Sequence, residues 1–464
     1  MLNTKSAAVH HLGDLEAGKK ISRYSLIAAV VCFLSFLVIY GLTARSNAQV
    51  TDEVAMAAAG VSLVTDGDLS IDEWQWIQDA IGVGQTGREG HLFPKYFPGN
   101  IYSFALLYRL TIRQNDTPYF WFAKDINDAI GPMILAPSNR AARFALKINA
   151  GYGALAMAAL FLLLSRDYDW KTVIATVILT GLCTDWWYQS RGFLSEVGAG
   201  AFLITGLCFM AYQKPYSSSL VLGISILFRP TNIISIPILG KVLWKKDNKT
   251  ILITVLIFCA TLLFLAYYNW ARFSSPINFG YGNESFTSKW YDGLYGLLFS
   301  PGRSLFVYSP ILALAIPGFM MLYKREKSMA IISAVIVVSQ IIIIALWHSW
   351  DGGWTWGSRL LTPVIPILGF LTAPAIEYAF KSRRDLFVMI FLAMLGVGVQ
   401  ILAIARDPLK TIVESVVYGN VNYEETVLSI KNSWIVIQAK SLQNWQFCDL
   451  DAYTIRQWFG QCSK

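Results

Sequence analysis

The chain has 464 residues, 55% of them hydrophobic and 15% charged, with a net charge of +8. A soluble chain carries roughly 25% charged residues, so an ordinary soluble enzyme is excluded. The basic residues lie in short clusters between apolar runs, which excludes a nucleic-acid surface and fits the positive-inside bias of a membrane protein.

The apolar runs fall at roughly 24–42, 145–164, 171–184, 194–212, 219–240, 251–269, 303–323, 329–347, 359–380 and 386–405. A run of about 20 apolar residues crosses a ~30 Å hydrocarbon core as a helix. Lys19, Lys20 and Arg23 precede the first run, so residues 1–23 are expected to form a cytoplasmic tail. Tyr24 to Leu42 exceeds the ~7–15-residue core of a cleaved signal, and the run is expected to stay as an anchor. Residues 43–144 then form a large extracytoplasmic first loop, residues 24–405 the membrane domain and residues 406–464 an extracytoplasmic tail. Cys32, Cys183, Cys208 and Cys259 fall in apolar runs and read as packing residues. Cys448 and Cys462 lie in the tail, where an oxidising compartment would let them pair. With four histidines and no Cys/His cluster, no zinc site is expected.

The run 219–240 creates a conflict. If it crossed once, "KVLWKKDNK" (241–249), "KREK" (324–327) and "KSRR" (381–384) would all lie outside, against the positive-inside rule. "FRPTN" sits in its middle, and Pro230 breaks a helix. Each half is about ten residues, roughly 15 Å of helix. The run is therefore expected to be a re-entrant helical hairpin with Arg229 to Asn232 at its tip. Irregular backbone at that depth is tolerated where it lines a wet cavity, into which Arg229 would point. The fold class expected is an all-α polytopic bundle with about 9–11 transmembrane helices, this hairpin and the large first loop.

Most short motifs fail on context. "GVGQTG" (82–87) follows no clear strand and opens no helix, and a GxxxxGK[ST] loop is missing, so neither a dinucleotide nor ATP is indicated. "DGDLSIDE" lacks the glycine and the final acid of a calcium loop. Four stretches remain. "TDEVAMAAAGVSLV" places Asp52 and Glu53 just beyond the first run, where acids also suit a helix N-terminus. "GREGHLFPKYFPGN" brings His91, Lys95 and Tyr96. "FRPTN" brings Arg229. "WHSWDGGWTWGSRLLTPVIP" brings Arg359, which suits either a snorkelling interface residue or an anion ligand. One acid and three cations on the outer half of a bundle form the candidate constellation.

In their order along most of the chain, these stretches resemble the membrane-embedded glycosyltransferases of the GT-C fold, which include protein O-mannosyltransferases and lipid A aminoarabinose transferases. "LYGLLFSPGRSLFVYSP" (294–310) is similar to bacterial members of unassigned acceptor. The resemblance implies an enzyme of the bacterial inner membrane, acting on its outer face. It would transfer a sugar from a polyprenyl-phosphate donor to an envelope glycan, lipid or protein. Asp52 is then the candidate general base, with Glu53 second. His91, Lys95, Tyr96, Arg229 and Arg359 are candidate ligands for substrate or phosphate. The early acid has no second DxD in register, so a divalent cation is not indicated, and no other cofactor is expected. The alternative reading is a transporter or flippase of lipid-linked sugars, with the broken helix as its substrate site.

Overall fold

Inside a bilayer every backbone N–H and C=O must find its partner within the protein, and a helix does this within one segment. The computed structural model describes residues 21–459 apart from 76–77, 80–81, 114–119, 123–133, 138–139 and 283. Among the described residues six helices are long and apolar enough to cross a membrane: Arg23–Thr43, Arg140–Leu164, Asn248–Phe273, Lys327–Leu346, Arg359–Ala379 and Arg383–Ala405. Shorter apolar helices, Trp170–Leu182, Ser195–Ala211, Pro215–Phe228 and Pro230–Leu243, complete a multi-pass all-α membrane fold. Arg359–Ala379 is the central helix, with 94% of its apolar window buried against 22% for Arg23–Thr43. The latter turns Leu26, Val30, Leu34 and Val38 outward, a surface suited to lipid. Two small antiparallel sheets brace the first loop. One joins Ala48–Gln49 and Phe120–Phe122 to Ile134–Pro137; the other pairs Gly84–Thr86 with Leu92–Pro94.

The broken run is a hairpin. Ser218 Oγ donates to Gly206 O (3.0 Å) and Ser225 Oγ to Ala199 O (2.9 Å), so Pro215–Phe228 runs antiparallel to Ser195–Ala211. Tyr216 Oη meets Thr250 Oγ1 at 3.4 Å and Ser219 Oγ donates to Thr254 O at 2.6 Å. Gly223 packs on Thr261, so Pro215–Phe228 runs parallel to Asn248–Phe273. Two parallel neighbours require the chain to return between them. It does so through a 3-10 turn, Pro230–Ser235, and a helix, Ile236–Leu243. Asn232 Nδ2 holds the reversal by donating to Ala199 O at 3.1 Å. The outgoing arm has 14 residues, about 21 Å of helix.

This return puts the basic clusters together. Arg166 Nη1 donates to Ala211 O (3.2 Å) and Arg166 Nη2 pairs with Glu326 (3.2 Å). Arg325 pairs with Glu377 (2.5 Å), and Lys381 reaches Glu377 as well (3.5 Å). Residues 166, 211, 325 and 381 thus share one end of the bundle, while the N-terminus of Ser195–Ala211 lies at the other end, beside Arg229. Single cysteines replacing Lys214 and Lys246, in a chain with its native free cysteines changed to serine, should react with an impermeant maleimide from the same membrane face. Labelling from opposite faces would contradict the hairpin.

Candidate active site

Asp52 and Glu53 lie in the first turn of the helix Val50–Thr65. Neighbouring helical residues point about 100° apart, so the two acids face different surroundings. Glu53 faces inward and is fully buried. It pairs with Arg45 Nη2 (2.8 Å) and accepts from the amides of Gln49 (2.6 Å) and Phe193 (2.7 Å). Gln49 Nε2 in turn donates to Asp407 (2.7 Å), at the start of the C-terminal tail. Glu53 is therefore a fastener of the helix N-terminus, and its oxygens are fully engaged. Asp52 faces a cavity, where Oδ2 accepts from Arg359 Nη1 (3.0 Å) and Oδ1 from the Tyr96 hydroxyl (3.0 Å).

Lys95 and Tyr96 follow the strand Leu92–Pro94. The segment is gripped by Arg272 at the end of Asn248–Phe273, which donates to the carbonyls of Pro94 and Tyr96 while Tyr268 Oη donates to Tyr96 O (3.0 Å). Arg272 is fully buried, with its guanidinium 3.9 Å from the Tyr268 ring centre. Lys95 pairs with Glu284 in the loop after that helix. Arg229, at the hairpin tip, pairs with Glu196 in the first turn of Ser195–Ala211. Arg359 begins the central helix after a loop that turns on Gly352 and Gly353, at φ 76° and 68°, backbone conformations that disfavour a side chain.

These residues line one cavity of about 680 Å³, with Asp52, Lys95, Tyr96, Arg229, Thr231, Tyr281, Glu284, Trp347, His348 and Arg359 in its wall. Burial pushes the Asp52 carboxyl up, but Arg359, then Lys95, the Tyr96 hydroxyl and Arg229, together hold it below the usual carboxylate range. Arg229 Nε, Thr231 Oγ1 and Arg359 Nε are buried with no hydrogen-bond partner among the described residues, so the wall keeps spare donors for an anion or an ordered water. Among the described residues no group of His, Cys, Asp and Glu could hold a metal ion.

Five of the seven residues expected from the sequence meet here: Asp52, Lys95, Tyr96, Arg229 and Arg359. His91 does not. It lies on the exposed surface with Nδ1 2.5 Å from Asp72, and that contact raises its pKa. Glu53 is directed away from the cavity by the helical turn. Sequence reasoning missed Glu196 and Glu284. Each carried a weak signal, being an acid in an apolar chain on the face already rich in cations. Cys448 is disulfide-bonded, while Cys462 lies outside the described residues.

The sequence matches no family model and no curated protein. Its structure is similar to the crystal structure of ArnT from Cupriavidus metallidurans bound to undecaprenyl phosphate, at 14% identity and a TM-score of 0.50, covering 93% of this chain and 75% of that one. The apo state of the same protein matches at 14% identity over 94% and 75% of the two chains, with a TM-score of 0.49. The fold is thus that of the GT-C membrane proteins.

Removing one partner of a buried ion pair costs about 3–5 kcal/mol, so Glu53→Ala should sharply lower the melting temperature in detergent. Asp52→Asn, at a cavity-wall position where the side chain is 24% exposed, keeps an oxygen to accept from Arg359 and should lower it less. The Asp407 carboxyl is pushed up to about 6, by burial and then by the Asp451 carboxylate, against Arg45. A folded value above the ordinary 3.8 means that its contribution is full below about pH 4 and is lost as pH rises through about 6. Asp407→Asn, which keeps a helix-capping side chain, should match the wild type near pH 4 and exceed it at neutral pH in thermal melts.

Proposed function

We propose that this chain is an integral membrane glycosyltransferase, transferring a sugar from a polyprenyl-phosphate-linked donor to an envelope glycan, lipid or protein acceptor. The observation that carries the reading is the cavity wall, where Asp52 sits among Arg359, Lys95 and Arg229, with Glu284 in the same wall. The shared fold with ArnT, whose crystal structure holds undecaprenyl phosphate, supports it. The basic loops gather at the opposite end of the bundle. By the positive-inside rule the cavity then faces outward from the bacterial inner membrane. The first loop brings the acid, and Asp407 and Asp451 of the tail pack against the same end, on Gln49 and Arg191.

In an inverting displacement the acceptor oxygen attacks the anomeric carbon and its O–H proton passes to Asp52. The bond from that carbon to the phosphate oxygen breaks, and its electron pair stays on the phosphate. A phosphate monoester is stable as an anion, so no general acid is required. Cations held in a low-dielectric site stabilise the charge as it develops there. Asp52 is a weak base while Arg359 and Tyr96 hold it. When Arg359 turns part of its donor fork to the phosphate, the carboxylate regains basicity at the moment the proton must move. The same charge logic lets Tyr96 orient the acid without competing for the proton.

A carrier of lipid-linked sugars would use the same broken helix, and would move labelled donor without making a glycoside. In a radiolabelled-sugar transfer assay on purified protein, Asp52→Asn should lower turnover by roughly 10²–10⁴ while still binding carrier phosphate. Wild-type turnover by that variant would overturn the base assignment.

A further inference from the structure

Every cation in the cavity is already paired: Arg359 with Asp52, Arg229 with Glu196, and Lys95 with Glu284. An incoming phosphate must therefore share or displace a carboxylate. The three carboxylates differ in how firmly they are held. Asp52 is fixed by a helix and by the Tyr96 hydroxyl. Glu196 sits in the first turn of a 17-residue helix with 1% of its side chain exposed. Glu284 lies outside a helix, in the chain between the helices Asn248–Phe273 and Trp290–Phe299. The chain there reverses at Gly280 (φ 78°) and Gly282 (φ 57°). The Glu284 side chain is 30% exposed, and its second partner is a histidine, His348, at 3.4 Å. Glu284 is thus the most exposed of the three carboxylates and the one outside a helix, and His348 offers it a second partner beside Lys95.

Resting on the lipid-phosphate reading above, we propose that Glu284 is a specificity-determining residue that competes with the phosphate for Lys95 and so lets the spent carrier leave. The chemistry creates the need. The donor is a phosphodiester with one negative charge, and the product is a monoester that carries up to two near neutral pH. The transferred proton meanwhile neutralises Asp52. Both changes make the cation cluster hold the product more tightly than the donor. A carboxylate that returns to Lys95 offsets this, and it weakens the dianion more than the monoanion because it repels charge in proportion.

The test is binding of two probes to the purified full-length protein: polyprenyl monophosphate, and its methyl diester as the monoanion. Glu284→Gln should bind the monophosphate roughly tenfold tighter, the size expected when one close charge is removed, with a smaller gain for the diester. Glu284→Ala should move in the same direction. Unchanged or weaker monophosphate binding in both variants, or an equal gain for both probes, would overturn the role of Glu284. Lys95→Gln run in parallel separates the two levels. If the wild-type protein binds neither probe, the lipid-phosphate reading itself fails; if Lys95→Gln leaves monophosphate binding intact, Lys95 is not the contested ligand and the role of Glu284 fails. If Lys95→Gln weakens binding while the Glu284 variants gain nothing, only the role of Glu284 fails.

Discussion

Moving an ion out of water costs several kcal/mol even after the protein relaxes, and that cost shapes the cavity end of this bundle. Arg45 is buried with Glu53. Arg191 is buried with Asp451, and it also donates to Thr43 O at 2.6 Å. Arg303 donates to the carbonyls of Thr355 (2.6 Å) and Gly353 (2.7 Å) and packs 4.3 Å from the Trp434 ring centre. These pairings tie the first loop, the loop before Arg359 and the C-terminal tail into one cap. The cap fixes the two acids of the first loop in opposite roles. Glu53 satisfies the buried frame, and Asp52 is left to the cavity.

The same cost explains why the cavity balances its charges. Lys95, Arg229 and Arg359 bring positive charge from three separate parts of the chain, and Glu284, Glu196 and Asp52 pair with them. A ligand that brings its own negative charge exchanges partners rather than meeting bare cations. The spare donors at Arg229, Thr231 and Arg359 then become a second source of recognition. On the proposed reading, a phosphate rather than a neutral sugar is the group that anchors the donor.

Much of this was legible in the sequence because a membrane chain spends charge sparingly. Apolar run length gave the six long helices, though the run 303–323 is broken into short pieces. Pro230 and the misplaced lysines after it gave the hairpin, and the rare charges gave Asp52, Lys95, Arg229 and Arg359 of the cavity wall. What stayed hidden depends on direction rather than on residue type. Nothing in "TDE" says which acid turns inward until the helix start is fixed at Val50. His91 sits four residues before Lys95, yet the strand Leu92–Pro94 carries the chain past the surface pair with Asp72 before it reaches the cavity. Glu196 and Glu284 reach the site through helix packing and a glycine-turned loop, neither of which leaves a motif.

The central claim is that the cation cluster around Asp52 is the seat of a lipid phosphate. The most direct measurement is a cryo-electron microscopy map of the full-length protein with polyprenyl phosphate bound. The account predicts phosphate density within hydrogen-bond distance of Lys95, Arg229 and Arg359, with the Lys95–Glu284 pair opened. Phosphate density elsewhere on the molecule, with all three ion pairs intact, would contradict it.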